Sequence, residues 1–446
     1  MRSKRYGIVA ILLAALAGAT PVMAQGTSGL LGGSSVGPNG GFGNYSGSSG
    51  GGDGLQDAGG LPGQDGRLSY FTAPLGNSAK QGPFVYTDIV YFTQTWTLGR
   101  AQVVARRGLR DSTGVISGTP GTVIGSGDVA LSTGQFGRTE YAPGMNLGVG
   151  WKFDDGTVLT ARVMHLSGQT WGASASLATQ FARNRTDLAD SFLFSDVFNF
   201  APQFAGPDVK TAYENTFIGR IVDVNGNVID PGVQVPTGAF YGIWNGMSNT
   251  SIEYKRWYTE AEIGGRTPLF ESNTSKVYGL GGVRYHMFMD RFRWLAQSFD
   301  LLGNTGGRFE AEYSNILSQR MYGPYIGCAN DVYLGNNFSM SVDLTGELLA
   351  NFIKMRAKYS LGDNTVQAKR SRNAIDLVPA AGGNINLWYY PVRGVQVRVG
   401  YTANTFFNTR NMDEPIGFNY GAIDPPYGTQ HFRLIHGLNV GVGIFF

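Results

Sequence analysis

The chain ends in a segment whose side chains alternate between two kinds. Apolar residues occupy every second position, interrupted only by His436: Phe432, Leu434, Leu438, Val440, Val442, Ile444 and Phe446. The positions between them are mostly small or polar. Because successive side chains of a strand point to opposite faces, this alternation predicts a strand with one continuous apolar face. A half-buried strand of a soluble β-sandwich shows the same alternation, so a secreted sandwich stays open at this point.

The last residue is itself informative. A final strand that is apolar on one face and stops on an aromatic residue, here Phe446, resembles the assembly signal of bacterial outer-membrane β-barrels. The resemblance implies that Phe446 is read by the barrel assembly machinery of a Gram-negative-type cell envelope, and that lipids of the outer membrane surround the folded chain.

The amino-terminal region is typical of an exported protein. Three basic residues within the first five positions precede an apolar run at 7–18, and Ala24 completes a small-residue cleavage site. We therefore predict a signal peptide at 1–24, since the apolar run is shorter than the ~20 residues of a membrane-spanning helix. Residues 25–80 are rich in Gly and Ser and predict a flexible segment. The barrel is predicted at 81–446.

Composition narrows the classes of function. Charged residues make up only 15% of the chain, well below the ~25% of an average globular protein. The chain has 35 Lys and Arg against 32 Asp and Glu, and the predicted signal peptide removes three of the basic residues. The remainder is formally neutral, so no nucleic-acid partner is expected. The single Cys328 excludes a disulfide framework within the chain.

We predict an all-β, antiparallel, up-and-down transmembrane barrel of about twelve strands, within a range of ten to fourteen. The predicted strands are 84–96, 142–153, 157–168, 238–247, 250–264, 276–295, 306–316, 320–334, 337–361, 374–390, 392–407 and 431–446. An even count places both termini in the periplasm. Counting back from the last strand places short connections there, including 154–156 and 248–249, together with a longer one at 296–305. The outside connections include the long loops 97–141 and 169–237 and the shorter 265–275 and 317–319.

Polar residues opposite the apolar positions are candidates for the barrel interior. The candidate lumen-lining residues are Arg162, Asp343, Arg398 and Arg433. Charges of both signs along a pore sort solutes by charge, although paired interior charges that only hold the wall in shape give the same pattern. The basic cluster 369–372 is interpreted as a solvated charge run in an outside loop.

Signals for chemistry are weak. The four histidines have no metal-ligand spacing with one another or with the cysteine, and no serine-containing motif marks a hydrolytic triad. We therefore expect no catalytic, cofactor-binding or metal-binding residues, and no enzyme.

Three short motifs and the terminal hairpin and strand carry a family resemblance. The motifs lie at 281–285, 313–315 and 322–327. Over about residues 80 to 446 the chain is similar to a family of β-barrel porins of bacterial outer membranes, known mainly from planctomycetes. The resemblance implies an outer-membrane barrel and brings no catalytic residues. The function we predict is a pore for passive diffusion of small solutes. The alternative is a surface-displaying or structural barrel, an adhesin or scaffold, without an open channel.

Overall fold

The computed structural model describes the barrel wall continuously and its connections in part. The described residues are 81–95, 98, 101–111, 118, 122–123, 127–176, 191–195, 217–218, 221–222, 227–230, 233–234, 244, 247–272, 274–297, 310–362, 367–392, 394–417, 425, 427 and 430–446. All of them belong to one compact unit, Ala58–Phe446. The predicted signal peptide 1–24 and the predicted flexible segment 25–80 lie outside the described residues.

Ten antiparallel strands form a closed barrel, which confirms the predicted fold class at the lower limit of the predicted strand range. In chain order they are β1 (Gly82–Gln94), β2 (Ala142–Lys152), β3 (Val158–Ser176), β4 (Asn249–Glu271), β5 (Ser275–Gln297), β6 (Glu310–Gly335), β7 (Phe338–Leu361), β8 (Gln367–Val392), β9 (Val395–Arg410) and β10 (Gln430–Phe445). Each strand pairs with its neighbours in sequence, and β10 closes the ring against β1, with Phe84 opposite Phe445. In the turn half, closure leaves no edge strand with unpaired backbone groups. In the described structure the segment 367–379 of β8 forms strand pairs only with β7.

The two ends of the barrel differ in their connections. At one end, here called the turn end, the strands are joined by the short segments 153–157, 272–274, 336–337 and 393–394, and β1 begins and β10 ends there. Asn336 and Asn337 take positive φ angles of 50° and 64°, the backbone that a two-residue hairpin requires. The opposite end, the loop end, carries the connections 95–141, 177–248, 298–309, 362–366 and 411–429.

The observed count of ten barrel strands is lower than the predicted twelve for two reasons. The predicted strands 306–316 and 320–334 are one continuous strand, β6, so the predicted connection at 317–319 is wrong. The predicted strand 238–247 is not a barrel strand, because β3 pairs directly with β4. Of this segment only Trp244 and Met247 are among the described residues, and Met247 forms an isolated bridge with Leu193. Together the two errors account for the difference between twelve predicted and ten observed strands, and they reverse the predicted directions of β4 and β5.

The reversal changes which end some connections belong to. The predicted outside connection 265–275 is the turn-end segment 272–274, whereas 248–249 and 296–305 lie at the loop end. The predicted connection 169–237 also begins too early, because β3 continues to Ser176.

The inner and outer faces exchange character along the long strands. In the turn half, apolar side chains such as Val283, Leu344 and Ile385 are exposed on the outside. In the loop half, the outward positions carry charges such as Arg356, and apolar side chains such as Trp294 are buried inside. Strands β4 to β8 have 23 to 26 residues, whereas ~9–11 residues cross a bilayer. Only the turn half therefore has the surface of a membrane-spanning wall.

The loop-end connections contain short elements of their own. They are the strands Val103–Asp111, Thr122–Val123, Val129–Ser132, Ser191–Phe194, Phe217–Ile218, Ile221–Val222, Val228–Asp230 and Val233–Gln234, and the 3-10 helix Thr133–Phe136. The first four strands pair with one another, and Leu131, Phe136 and Leu193 are buried in the same apolar cluster as the inner face of the loop half. Among the described residues, no helix is both long and apolar enough to cross a bilayer.

Candidate functional site: the lumen

A layer of apolar side chains crosses the lumen where the two halves meet. We call this layer the septum; its members are Val90, Phe92, Met164, Leu166, Tyr258, Phe288, Met321, Leu349, Val378, Ala380, Phe406 and Ile435. Nine of the ten barrel strands contribute to it. Phe288 on β5 and Phe406 on β9 make an edge-to-face contact with ring centroids 5.2 Å apart, although their strands are four positions apart around the barrel. Their contact therefore spans the lumen itself.

Charged side chains form a connected network on the turn side of the septum. Glu262 of β4 accepts hydrogen bonds from Arg162 at 2.6 Å, Arg284 at 2.8 Å and Tyr325 at 2.7 Å. Arg284 also pairs with Glu347 of β7. These five side chains project from five neighbouring strands, β3 to β7, at inward positions set by the alternation of each strand. Each charge has a partner of opposite sign, which is the condition for burying charge at low cost.

The network continues from Glu347 towards the loop end and ends in the septum. His286 lies 3.0 Å from Glu347 through Nε2 and 2.9 Å from the Tyr258 hydroxyl through Nδ1. Its ring also packs edge-on to Phe406 at 4.9 Å. His286 therefore connects the polar layer to the apolar layer.

A cavity of about 200 Å³ lies in the turn half. Its walls carry Arg162, Asp343 and Arg398, and its roof is formed by septum residues including Phe92 and Met164. Arg398 forms an ion pair with the buried Asp88, which also accepts a hydrogen bond from Asn146 at 2.6 Å. The cavity is thus lined by charges of both signs and closed towards the loop end.

A second ionic cluster lies on the loop side of the septum and is sealed from solvent. Asp290 of β5 is fully buried between Arg256 at 3.1 Å and Arg433 at 3.2 Å, and it accepts a hydrogen bond from Tyr254 at 2.8 Å. The guanidinium of Arg433, which projects from β10 on the far side of the barrel, also lies over the Phe288 ring at 4.4 Å. This cluster ties opposite walls of the barrel together.

Connections from the loop end fill the space above this cluster. Trp244 packs on Trp294 with ring centroids 4.2 Å apart, and both side chains are buried. Gln102 exchanges two hydrogen bonds with the backbone of Ile416, at 2.9 and 3.0 Å, and so joins two different connections. The described part of the loop half is therefore packed like the core of a soluble protein.

The four lumen candidates from the sequence all project inwards, but into different surroundings. Arg162, Asp343 and Arg398 border the cavity, whereas Arg433 lies beyond the septum. None of the four shares an ion pair with another of the four in the described structure.

The prediction omitted most of the network, including Glu260, Glu262, Arg284, His286 and Glu347. The signal was present, because each of these residues alternates with outward-facing neighbours along its strand. The septum residues had no such signal. Alternation assigns each side chain to one face of its strand, but it does not identify the residue that this side chain contacts across the lumen.

The two faces of the turn half define the environment of the chain. A closed barrel satisfies its backbone hydrogen bonds internally, and its turn half presents an apolar band outside and charges inside, as transmembrane barrels do. Aromatic side chains border this band at the turn end, where Phe338 stacks on Tyr389 at 4.8 Å, and nearer the loop end, where Tyr285 packs on Tyr322 at 4.8 Å. The chain is an outer-membrane β-barrel, as the sequence predicted.

Comparisons with known proteins found distant similarities. No protein-family model matches the chain, and no curated protein does, so the predicted kinship with the planctomycete porin family stays a prediction. Similar solved structures include the outer-membrane protease OmpT from Escherichia coli, with 8% identity, 82% of this chain and 97% of that chain covered, and a TM-score of 0.37.

Two further structures are similar at the same level. The translocator domain of the autotransporter NalP from Neisseria meningitidis has 10% identity over 81% of this chain and 88% of that chain, with a TM-score of 0.31. The P. putida toluene transporter TodX has 10% identity over 82% of this chain and 89% of that chain, with a TM-score of 0.24. The activities of these proteins differ, and none is carried over to this chain.

Proposed function

We propose that this chain is a sealed outer-membrane barrel that anchors and displays its folded loop half, rather than an open diffusion pore. The observation that carries the proposal is the contact between Phe288 and Phe406 across the lumen, inside a septum to which nine strands contribute. A ten-stranded barrel is also much narrower than the 16–18-stranded porins that leave an aqueous channel.

The lengths of the strands support display. About half of each of β4 to β8 extends beyond the apolar band, with charges outside and a packed apolar core inside. Transmembrane barrels carry their longer loops on the outer side of the membrane. In this orientation the loop half forms a rigid collar above the membrane, and the elements between Val103 and Phe136 cover its top.

A pore for small solutes is the second candidate. The cavity of about 200 Å³, lined by Arg162, Asp343 and Arg398, favours it because such a lining would sort solutes by charge. Conduction would then require the septum to open, since Phe92 and Met164 roof the cavity.

Swelling of proteoliposomes in isotonic sugar solutions tests the proposal. We expect vesicles that contain the folded wild-type barrel to show no uptake of small sugars above that of empty vesicles. Swelling that falls off with increasing sugar size would overturn the scaffold proposal and establish the pore. The loss of heat-modifiable migration on gels identifies samples that have not folded and excludes them.

A further inference from the structure

The outer face of β4 to β8 carries a group of basic side chains just beyond the apolar band. We call this group the basic belt; it comprises Lys255, Arg291, Arg293, Arg320, Lys354, Arg356, Lys358 and Lys369. Their outward direction follows from the alternation of β7, where the intervening Ile353, Met355 and Ala357 are buried inside the barrel.

The strand register places like charges side by side in the belt. Lys255 is opposite Arg291, and Lys358 is opposite Lys369. Arg356 lies two strands from Arg291 at the same level of the wall, since Ile316 of the intervening β6 is opposite both. Like charges directly opposite each other destabilise a sheet. These like-charged pairs therefore do not stabilise the barrel wall.

Few acids neutralise the belt. Lys255 pairs with Glu253 at 3.2 Å, and Arg293 pairs with Glu312 at 2.6 Å. The other six members form no ion pair with any acid in the part of the chain that the structure describes. The belt therefore carries a net positive charge that an anion from outside the chain can bind.

The position of the belt identifies the source of that anion. Arg320 and Lys354 are the next outward residues after Tyr322 and Phe352, whose rings pack edge-on at 5.9 Å. Together with Tyr285 these rings form the aromatic border of the apolar band, the level at which aromatic girdles meet lipid headgroups. The belt begins one step beyond this border, within reach of headgroup phosphates.

We propose that the basic belt binds the phosphate groups of anionic lipid headgroups in the leaflet around the loop half. Guanidinium and ammonium groups are the side chains that bind phosphate. The sequence pattern of 369–372 indicates a charge run in a solvated outside loop, and the structure corrects this interpretation. All four residues are in β8, and Lys369 joins the outer face while the next residue, Arg370, points to the inner face.

Native mass spectrometry of the folded barrel, released from neutral detergent that contains phosphatidylglycerol or phosphatidylcholine, tests this proposal. We expect wild type to retain phosphatidylglycerol in preference to phosphatidylcholine. The variant Arg356→Gln/Lys358→Gln should bind phosphatidylglycerol roughly 25-fold more weakly, at about fivefold for each cation lost, or ~1 kcal/mol per basic residue.

The matched control is Arg370→Gln/Arg372→Gln, which removes the same charge from the opposite face of the paired strand. Its binding of phosphatidylglycerol should stay within about twofold of wild type, since only the outer face meets lipid. Equal losses in both variants, or no loss in either, would overturn the proposal. Soluble polyphosphate that binds wild type as tightly as phosphatidylglycerol would overturn it in favour of a soluble polyanion.

Discussion

The turn half and the loop half of this barrel are built from the same strands by opposite rules. In the turn half, Val399 is exposed outside while Arg398 pairs with Asp88 inside. In the loop half, Arg356 is exposed outside while Trp294 is buried inside. The exchange occurs at the septum, so one continuous strand passes from a membrane wall to a water-facing wall. The solvent outside each half, and not the fold, decides which residues face outwards.

The two halves also differ in how much space their interiors leave. The turn half keeps a cavity of about 200 Å³ among charged groups. The loop half is filled by the packed cluster that includes Trp244, Trp294 and Tyr313, and the ionic cluster around Asp290 is fully buried. Substitutions at equivalent inward positions should therefore have different consequences in the two halves.

The largest expected effect comes from the buried carboxylate of the loop half. Asp290→Ala leaves Arg256 and Arg433 as buried cations without their shared partner. We expect it to lower the free energy of unfolding by about 3–5 kcal/mol. Urea titration of the refolded protein, followed by tryptophan fluorescence, measures the change. Asp343→Ala, at the turn-half cavity, is the control and should cost much less; equal losses would show that the two interiors do not differ.

A charge added to the outer face should destabilise the turn half more than the loop half. Val399→Arg places a cation in the apolar band, where a basic residue near the bilayer midplane costs ~2–4 kcal/mol. Ser251→Arg adds the same side chain to the outer face of β4 in the loop half, where we expect a change within about 0.5 kcal/mol. Folding yield and urea midpoints in liposomes provide the comparison. A tolerated Val399→Arg would mean that the band does not face lipid.

The smallest expected loss of stability comes from a larger side chain at an inward position. Ala311 is fully buried in the packed loop half, so Ala311→Leu should destabilise the barrel by about 1–3 kcal/mol. Asn384 borders the turn-half cavity, and Asn384→Phe should be accommodated there with little loss. The same urea titrations decide between these outcomes. If Asn384→Phe is the more destabilising change, the cavity is not available to side chains.

The sequence predicted the barrel, its approximate strand positions and the inward direction of Arg398, because alternation and turn chemistry are local signals. It failed at 317–319, where the apolar positions pass from the inward Leu317 to the outward Tyr322. A change of apolar face within one strand looks like a turn when only hydrophobic alternation is read. The septum was beyond prediction for a different reason, since Phe288 and Phe406 meet only after the sheet has closed.

Recording the current through single barrels in a planar lipid bilayer tests the sealed lumen most directly. We expect wild type to insert without stepwise conductance, because the septum blocks ions at Phe288 and Phe406. Phe288→Ala/Phe406→Ala should open a conducting path, whereas the outward-facing control Phe407→Ala should stay silent. Steady conductance steps from wild type, unchanged in the double variant, would contradict the account.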